Sequence, residues 1–126
     1  MNVVDSCGWL EYLLDGPNAR FFAAAIEDTE HLIVPSVCLL EVFKAAARAR
    51  DEAAALWAVS GMHKGRVAEL SASIAVAAAR LGLTHKIPLA DSVVLATARA
   101  HGAVLWTQDD HFRDIEKVRY RAAKHG

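Results

Sequence analysis

The sequence is poor in the residues that announce the commonest chemistries of small proteins. It has two cysteines, Cys7 and Cys38, far apart and without CxxC spacing. That removes a disulfide framework or cysteine-ligated zinc and suits a reducing compartment with two small buried hydrophobes. The six histidines are scattered, with no HExxH or Cys/His tract, and several fall where solvated loops are expected, so none is singled out as a ligand. Neither sign of charge prevails: 14 basic and 15 acidic residues give a net charge of −1. A nucleic-acid partner would therefore have to be held by local basic patches. No apolar run reaches the ~20 residues that span a bilayer, since the longest greasy region, 67–83, is broken by Glu69, Ser71, Ser73 and Arg80. Asp5 interrupts the N-terminal apolar run with no charged segment before it, so no signal peptide is expected and the chain reads as soluble and cytoplasmic. Repeats, low-complexity tracts and Pro/Gly/Ser-rich linkers are absent, and a chain of 126 residues that is 54% hydrophobic reads as one domain, 1–126, around one core.

What is present is organised around Ile87-Pro-Leu-Ala-Asp-Ser-Val-Val-Leu-Ala-Thr-Ala-Arg-Ala-His-Gly-Ala-Val-Leu-Trp-Thr-Gln-Asp-Asp-His-Phe112. Residues 90–100 carry apolar side chains on nearly every side, the pattern of a helix buried all round, and Gly102 stops it. Residues 103–107 form a continuous apolar run bounded by turn formers, as a strand inside a parallel sheet does. Asp91 thus falls in the first turn of a buried helix and Asp109 just past the end of a buried strand, where ligands gather in open parallel sheets. Neither acid is decisive singly. A carboxylate in a helix first turn is favourable by roughly 0.3–1 kcal/mol through the dipole alone, and Asp after a strand is ordinary turn chemistry.

Along the chain, residues 1–6 read as a short strand ended by Asp5 and Ser6. A helix follows with Trp9, Leu10, Leu13 and Leu14 on one face, ending at Asp15-Gly16-Pro17, and another covers 19–27. Residues 31–35 read as a strand, Ser36 as an N-cap, and 37–50 as a helix. Glu41 lies in that helix on a mostly apolar face. A buried unpaired carboxylate costs several kcal/mol, so a cation should meet it, and Lys44 at i+3 is the local candidate. Asp51 caps a helix over 52–62 that turns Leu56 and Trp57 to the core. Then come a strand over 66–70, a helix over 72–81 capped by Ser71 and ended by Gly82, a loop over 83–86, and, at the end, a half-exposed edge strand over 118–121. The last few residues are expected to fray.

Strand and helix alternate, so the class is α/β: a mostly parallel sheet of four or five strands with helices on both faces. Right-handed crossovers bring Asp5 and Asp109 to one sheet edge, together with the start of the Asp91 helix. Carboxylates converging there need a counter-charge. All-oxygen donors suit Mg²⁺ or Mn²⁺, which would generate a hydroxide nucleophile and stabilise the leaving oxygen in phosphodiester hydrolysis.

Val3-Val4-Asp5-Ser6, Glu41 in an apolar helix, Leu89-Ala90-Asp91-Ser92 with its helix, and Thr107-Gln108-Asp109-Asp110-His111-Phe112 together resemble the PIN-domain nucleases, most closely the VapC toxins, over essentially the whole chain. The resemblance implies a metal-dependent endoribonuclease with Asp5, Glu41, Asp91 and Asp109 around Mg²⁺ or Mn²⁺. It implies that Ser6 orients a ligand or water and Thr107 holds an acid. Ser6 stands where Thr is more usual, and the doublet leaves Asp109 or Asp110 as the fourth acid; register with Thr107 and Phe112 favours Asp109, with Asp110 as a helper. Implied partners are RNA, a VapB-like antitoxin and a second copy in a homodimer. The rivals are a PIN nuclease of RNA processing without an antitoxin, a receiver domain, and a silent interaction module using Trp9, Phe21, Phe22 or Trp57. A receiver expects an acidic pair after the first strand, where Asp5 is followed here by Ser6 and Cys7. Lys44, Arg48, Arg50, Lys64, Arg66 and Lys86 are the candidates for phosphate contact.

Overall fold

The computed structural model describes residues 1–124. Five strands, β1 (Asn2–Val4), β2 (Leu32–Pro35), β3 (Arg66–Ala68), β4 (Val104–Thr107) and β5 (Val118–Tyr120), form one sheet in the order β3-β2-β1-β4-β5. Every pairing is parallel, so all five carboxyl ends point to one edge. Val3 and Val4 are both fully buried, as are Ile33 and Val34. Neighbouring strand residues face opposite sides of a sheet, so both faces are covered, as expected. The expected fraying of the extreme C-terminus, where it concerns 125–126, lies outside the described residues.

Six helices supply the cover: α1 (Ser6–Leu13), α2 (Ala19–Ile26), α3 (Ser36–Ala49), α4 (Glu52–Met62), α5 (Ala72–His85) and α6 (Leu89–Ala100). α6 has seven consecutive buried residues, Ser92 to Ala98, which is why its sequence shows no polar face. Its buried Thr97 returns its hydroxyl to Val93 O at 2.8 Å, so no polar atom is stranded. Asp51 and Ser71 cap α4 and α5 by accepting from Ala54 N and Ile74 N.

Four local expectations fail. Ser36 is the first residue of α3 and not its cap; the extended Pro35 occupies that position and makes no side-chain cap bond. α5 does not end at Gly82 but runs to His85 and stops at Lys86, which adopts the left-handed conformation at φ 55°. Gly82 lies within the helix, where a Cβ would make an ordinary van der Waals contact, 3.4 Å from Ser92 Cβ of α6. In α4, Leu56 and Trp57 face outward, 55% and 68% exposed, while Ala55, Ala58 and Met62 are buried. A helix apolar on every side offers no moment to choose its face, and the small residues turn inward. Finally, Trp9 and Phe22 are core residues, which removes them as docking aromatics.

Candidate functional site

Asp5 follows β1 and caps α1, and this double role fixes its side chain. Oδ1 accepts from Gly8 N at 3.1 Å and from the Cys7 thiol at 2.7 Å; Oδ2 accepts from the Thr107 hydroxyl at 2.6 Å. It is 4% exposed. Burial pushes its pKa up to about 6 against the pull of those donors, and the nearby Asp109 pushes the same way. Thr107, the fully buried last residue of β4, also accepts from Asp109 N at 2.9 Å. One hydroxyl thus joins the first acid to the loop of the last.

Asp109 opens a 3₁₀ turn, Asp110–Phe112, and caps it by accepting from His111 N at 3.0 Å. That turn swings the exposed His111 back over the start of α6. Its Nδ1 lies 2.9 Å from Asp91 Oδ2 and 3.0 Å from Asp109 Oδ1. The Asp91 bond and the Asp109 charge raise the imidazole pKa above its ordinary value. Asp91 itself is pushed up to about 6, first by burial and then by Asp109, with Glu41 adding to the effect. Glu41 accepts from the Ser6 hydroxyl at 3.0 Å. The expected Lys44 partner is not there: among the described residues every ion pair is made by a histidine, and the carboxylate meets a hydroxyl from α1.

The structure therefore gathers Asp91 and Asp109 with His111, one ligand atom from each lying within 4.8 Å of the others. Asp5 and Glu41 adjoin that cluster, close enough to raise the pKa of a member or be raised by one. Asp110 is exposed, and its side chain makes no hydrogen bond among the described residues. Two further residues belong to the site without having been singled out in the sequence. The sequence presents Cys7 as a small buried hydrophobe, but it is only half-buried and its thiol donates to Asp5; its place two residues after the acid is the signal available. The sequence gives His111 no rank above the other loop histidines, although it stands two after Asp109, where an Asx turn bonds the backbone N–H. Burial and the Asp5 charge push the Cys7 thiol far up, so it stays protonated and unreactive at neutral pH.

The donor set fits a hard dication. Two half-buried carboxylates already converge on one point, where the His111 imidazole nitrogen lies, and a third and fourth acid stand beside it.

Asp5 makes the stability of the fold depend on pH. Its carboxyl holds a proton more tightly folded, at about 6, than unfolded, at 3.8, so cation-free stability is present at low pH and is lost as pH rises between those values. The loss from Asp5 amounts to about 3 kcal/mol. Urea unfolding across this window, compared with Asp5→Asn, measures it. The wild type should lose stability with rising pH relative to the variant, and a relative gain would contradict the assignment.

The PIN-domain family model matches residues 3–118. Among curated proteins no sequence matches. Of solved structures, a chain of a toxin-antitoxin complex from Klebsiella pneumoniae is 24% identical with a TM-score of 0.76, covering 94% of this chain and 96% of that one. The sarcin-ricin loop cleaving toxin VapC20 from Mycobacterium tuberculosis is 15% identical at TM-score 0.76, covering 92% and 95%. FitAcB from Neisseria gonorrhoeae is 20% identical at TM-score 0.73, covering 95% and 96%. Likeness at these identities speaks for the fold, but the family model spans nearly all of the sequence, from the β1 strand that leads to Asp5 to the edge strand beyond Asp109. On that match the chain belongs to the PIN-domain family.

Proposed function

We propose that this protein is a metal-dependent endoribonuclease acting as the toxin of a toxin–antitoxin pair. The observation that carries the reading is the convergence of Asp91 and Asp109 on one point, 2.9 and 3.0 Å from His111 Nδ1, with Asp5 and Glu41 beside them. These four acids would hold Mg²⁺ or Mn²⁺. When bound, such an ion supplies a Lewis acid that acidifies water and offsets charge developing on a phosphodiester. The chain's own residues do the positioning. Thr107 locks Asp5 through Oδ2, Ser6 holds Glu41, and the cap bond to His111 N sets Asp109. Neither Thr107 nor Cys7 is available as a nucleophile: the Thr107 hydroxyl is buried and committed to Asp5, and the Cys7 thiol stays protonated.

An antitoxin finds support in the surface. An apolar groove of about 300 Å³ runs between α1, α3 and α4, lined by Leu10, Leu13, Ala45, Ala49 and the exposed Trp57. Such a groove suits the apolar face of a partner segment, and the similar chain from Klebsiella pneumoniae belongs to a toxin-antitoxin complex. Exposed Leu40, Leu83 and Leu89, two of them beside or near acids of the site, support a homodimer. Among the described residues no helix is long and apolar enough to cross a membrane.

The test is cleavage of total RNA by the purified chain. Cleavage should appear with Mg²⁺ or Mn²⁺ and stop with EDTA. Undiminished cleavage in EDTA would remove the metal, and no cleavage with either ion would remove the nuclease.

A further inference from the structure

The residues proposed from sequence for phosphate contact leave out the basic surface that borders the acids. Arg119 of β5 places its guanidinium carbon over the Trp106 ring, 4.8 Å from its centroid, and Arg121 does the same over Phe21 at 4.7 Å. Phe21 and Trp106 are themselves 5.1 Å apart. The four side chains form one ladder, Arg119-Trp106-Phe21-Arg121, with both arginines exposed at its ends. Arg20 joins Arg121 around an open hollow of about 590 Å³. Asp15 also lines that hollow, yet no arginine among the described residues is ion-paired with a carboxylate. A guanidinium held over a ring is ordered while its N–H groups stay free for a ligand, the state that binds phosphate with least further loss of freedom.

The ladder leads into the site. Arg121 N donates to Thr107 O at 3.0 Å, and Thr107 is the residue that holds Asp5 and the Asp109 backbone. Asn18, one residue before α2, donates to both Gln108 Oε1 and Ala122 O at 3.0 Å, tying the floor beside the hollow to the acid loop. Because β5 is parallel to β4, the step from Arg119 to Arg121 runs toward the acidic edge. Side chains two apart on a strand are about 7 Å apart, the order of the phosphate step in an extended single strand.

We propose that Arg119 and Arg121, with Arg20, form a track that holds the backbone of single-stranded RNA and feeds it to the acidic edge. The track rests on the ribonuclease reading for its purpose but is measured by binding alone. The probe is a fluorescein-labelled oligouridylate in EDTA, its anisotropy followed across a salt series with Arg119→Gln/Arg121→Gln, Arg119→Lys/Arg121→Lys and, as a control at the far end of α6, Arg99→Gln. The glutamine pair should weaken binding roughly tenfold and flatten the slope of log K against log salt by about 1.4, since each single-strand phosphate contact contributes about 0.7. The lysine pair should keep the slope, and Arg99→Gln should change nothing. Melting temperatures identify any variant that fails to fold, in which case the lysine pair and the single variants carry the test. An unchanged slope in a folded glutamine pair overturns the track, even if the wild type cuts RNA. Displacement of RNA by polyglutamate at equal charge concentration overturns it in favour of an acidic protein partner. A wild type that binds RNA through these arginines but never cuts it leaves the track standing and overturns the nuclease instead.

Discussion

Asp91→Asn is expected to lower RNA cleavage on the order of 10³-fold, the loss of one element of electrostatic stabilisation, while raising the melting temperature of the metal-free protein at neutral pH. Both effects come from one placement. Asp91 stands half-buried in the first turn of α6, facing Asp109 across His111, and both burial and the neighbouring carboxylate raise its pKa to about 6. At neutral pH the folded protein therefore carries an ionised group that the site disfavours. The amide keeps the shape, can still meet His111 and removes that charge. The same charge is what a dication needs, so function is lost where stability is gained. Cleavage assays and calorimetry on the same preparation measure the two. A variant that is both inactive and markedly less stable would assign Asp91 to structure instead. Asp5→Asn should behave differently, because the Asp5 carboxylate accepts from three donors and an amide has one acceptor oxygen to offer them.

Phe112→Ala should cost about 3–5 kcal/mol of stability and take most of the cleavage activity with it. Phe112 is fully buried in the main core and ends the 3₁₀ turn, its N–H donating to Asp109 O at 3.2 Å. The ring is the anchor that seats the turn, and the turn presents Asp109 and His111 to α6. Truncation leaves a cavity and frees the segment that carries Asp109 and His111. Urea denaturation gives the first effect and cleavage the second. A loss below about 1 kcal/mol, outside the range for deleting a buried aromatic ring, or full activity in the folded variant would show that the loop is held by other contacts.

The parts of this molecule that were legible before the structure are those fixed by strand ends and helix starts. β1 and β4 are short, apolar and closed by acids, so Asp5 and Asp109 could be placed on a common edge from the pattern alone, and the apolar run of α6 put Asp91 at its mouth. The parts that were not legible depend on contacts distant in sequence. Glu41 is met by Ser6, 35 residues away, whereas sequence spacing offered only Lys44. His111 reaches Asp91, 20 residues away, once the turn after β4 folds back. The ladder on β5 requires Phe21 of α2 to lie beside Trp106 of β4, a meeting that no local pattern encodes. α4 misled for a different reason: its apolar residues surround the axis, and packing against α3 chose the alanines over Leu56 and Trp57.

The measurement that bears most directly on the account is the melting temperature of the purified chain titrated with MnCl₂ at neutral pH, beside Asp91→Asn. If the four acids hold a dication in the folded state alone, a hundredfold excess over Kd should stabilise the wild type by about 2.7 kcal/mol, and the variant should show little of that gain. A wild type whose melting temperature does not move, or a variant that gains as much, would mean that these carboxylates meet at one edge without forming a metal site.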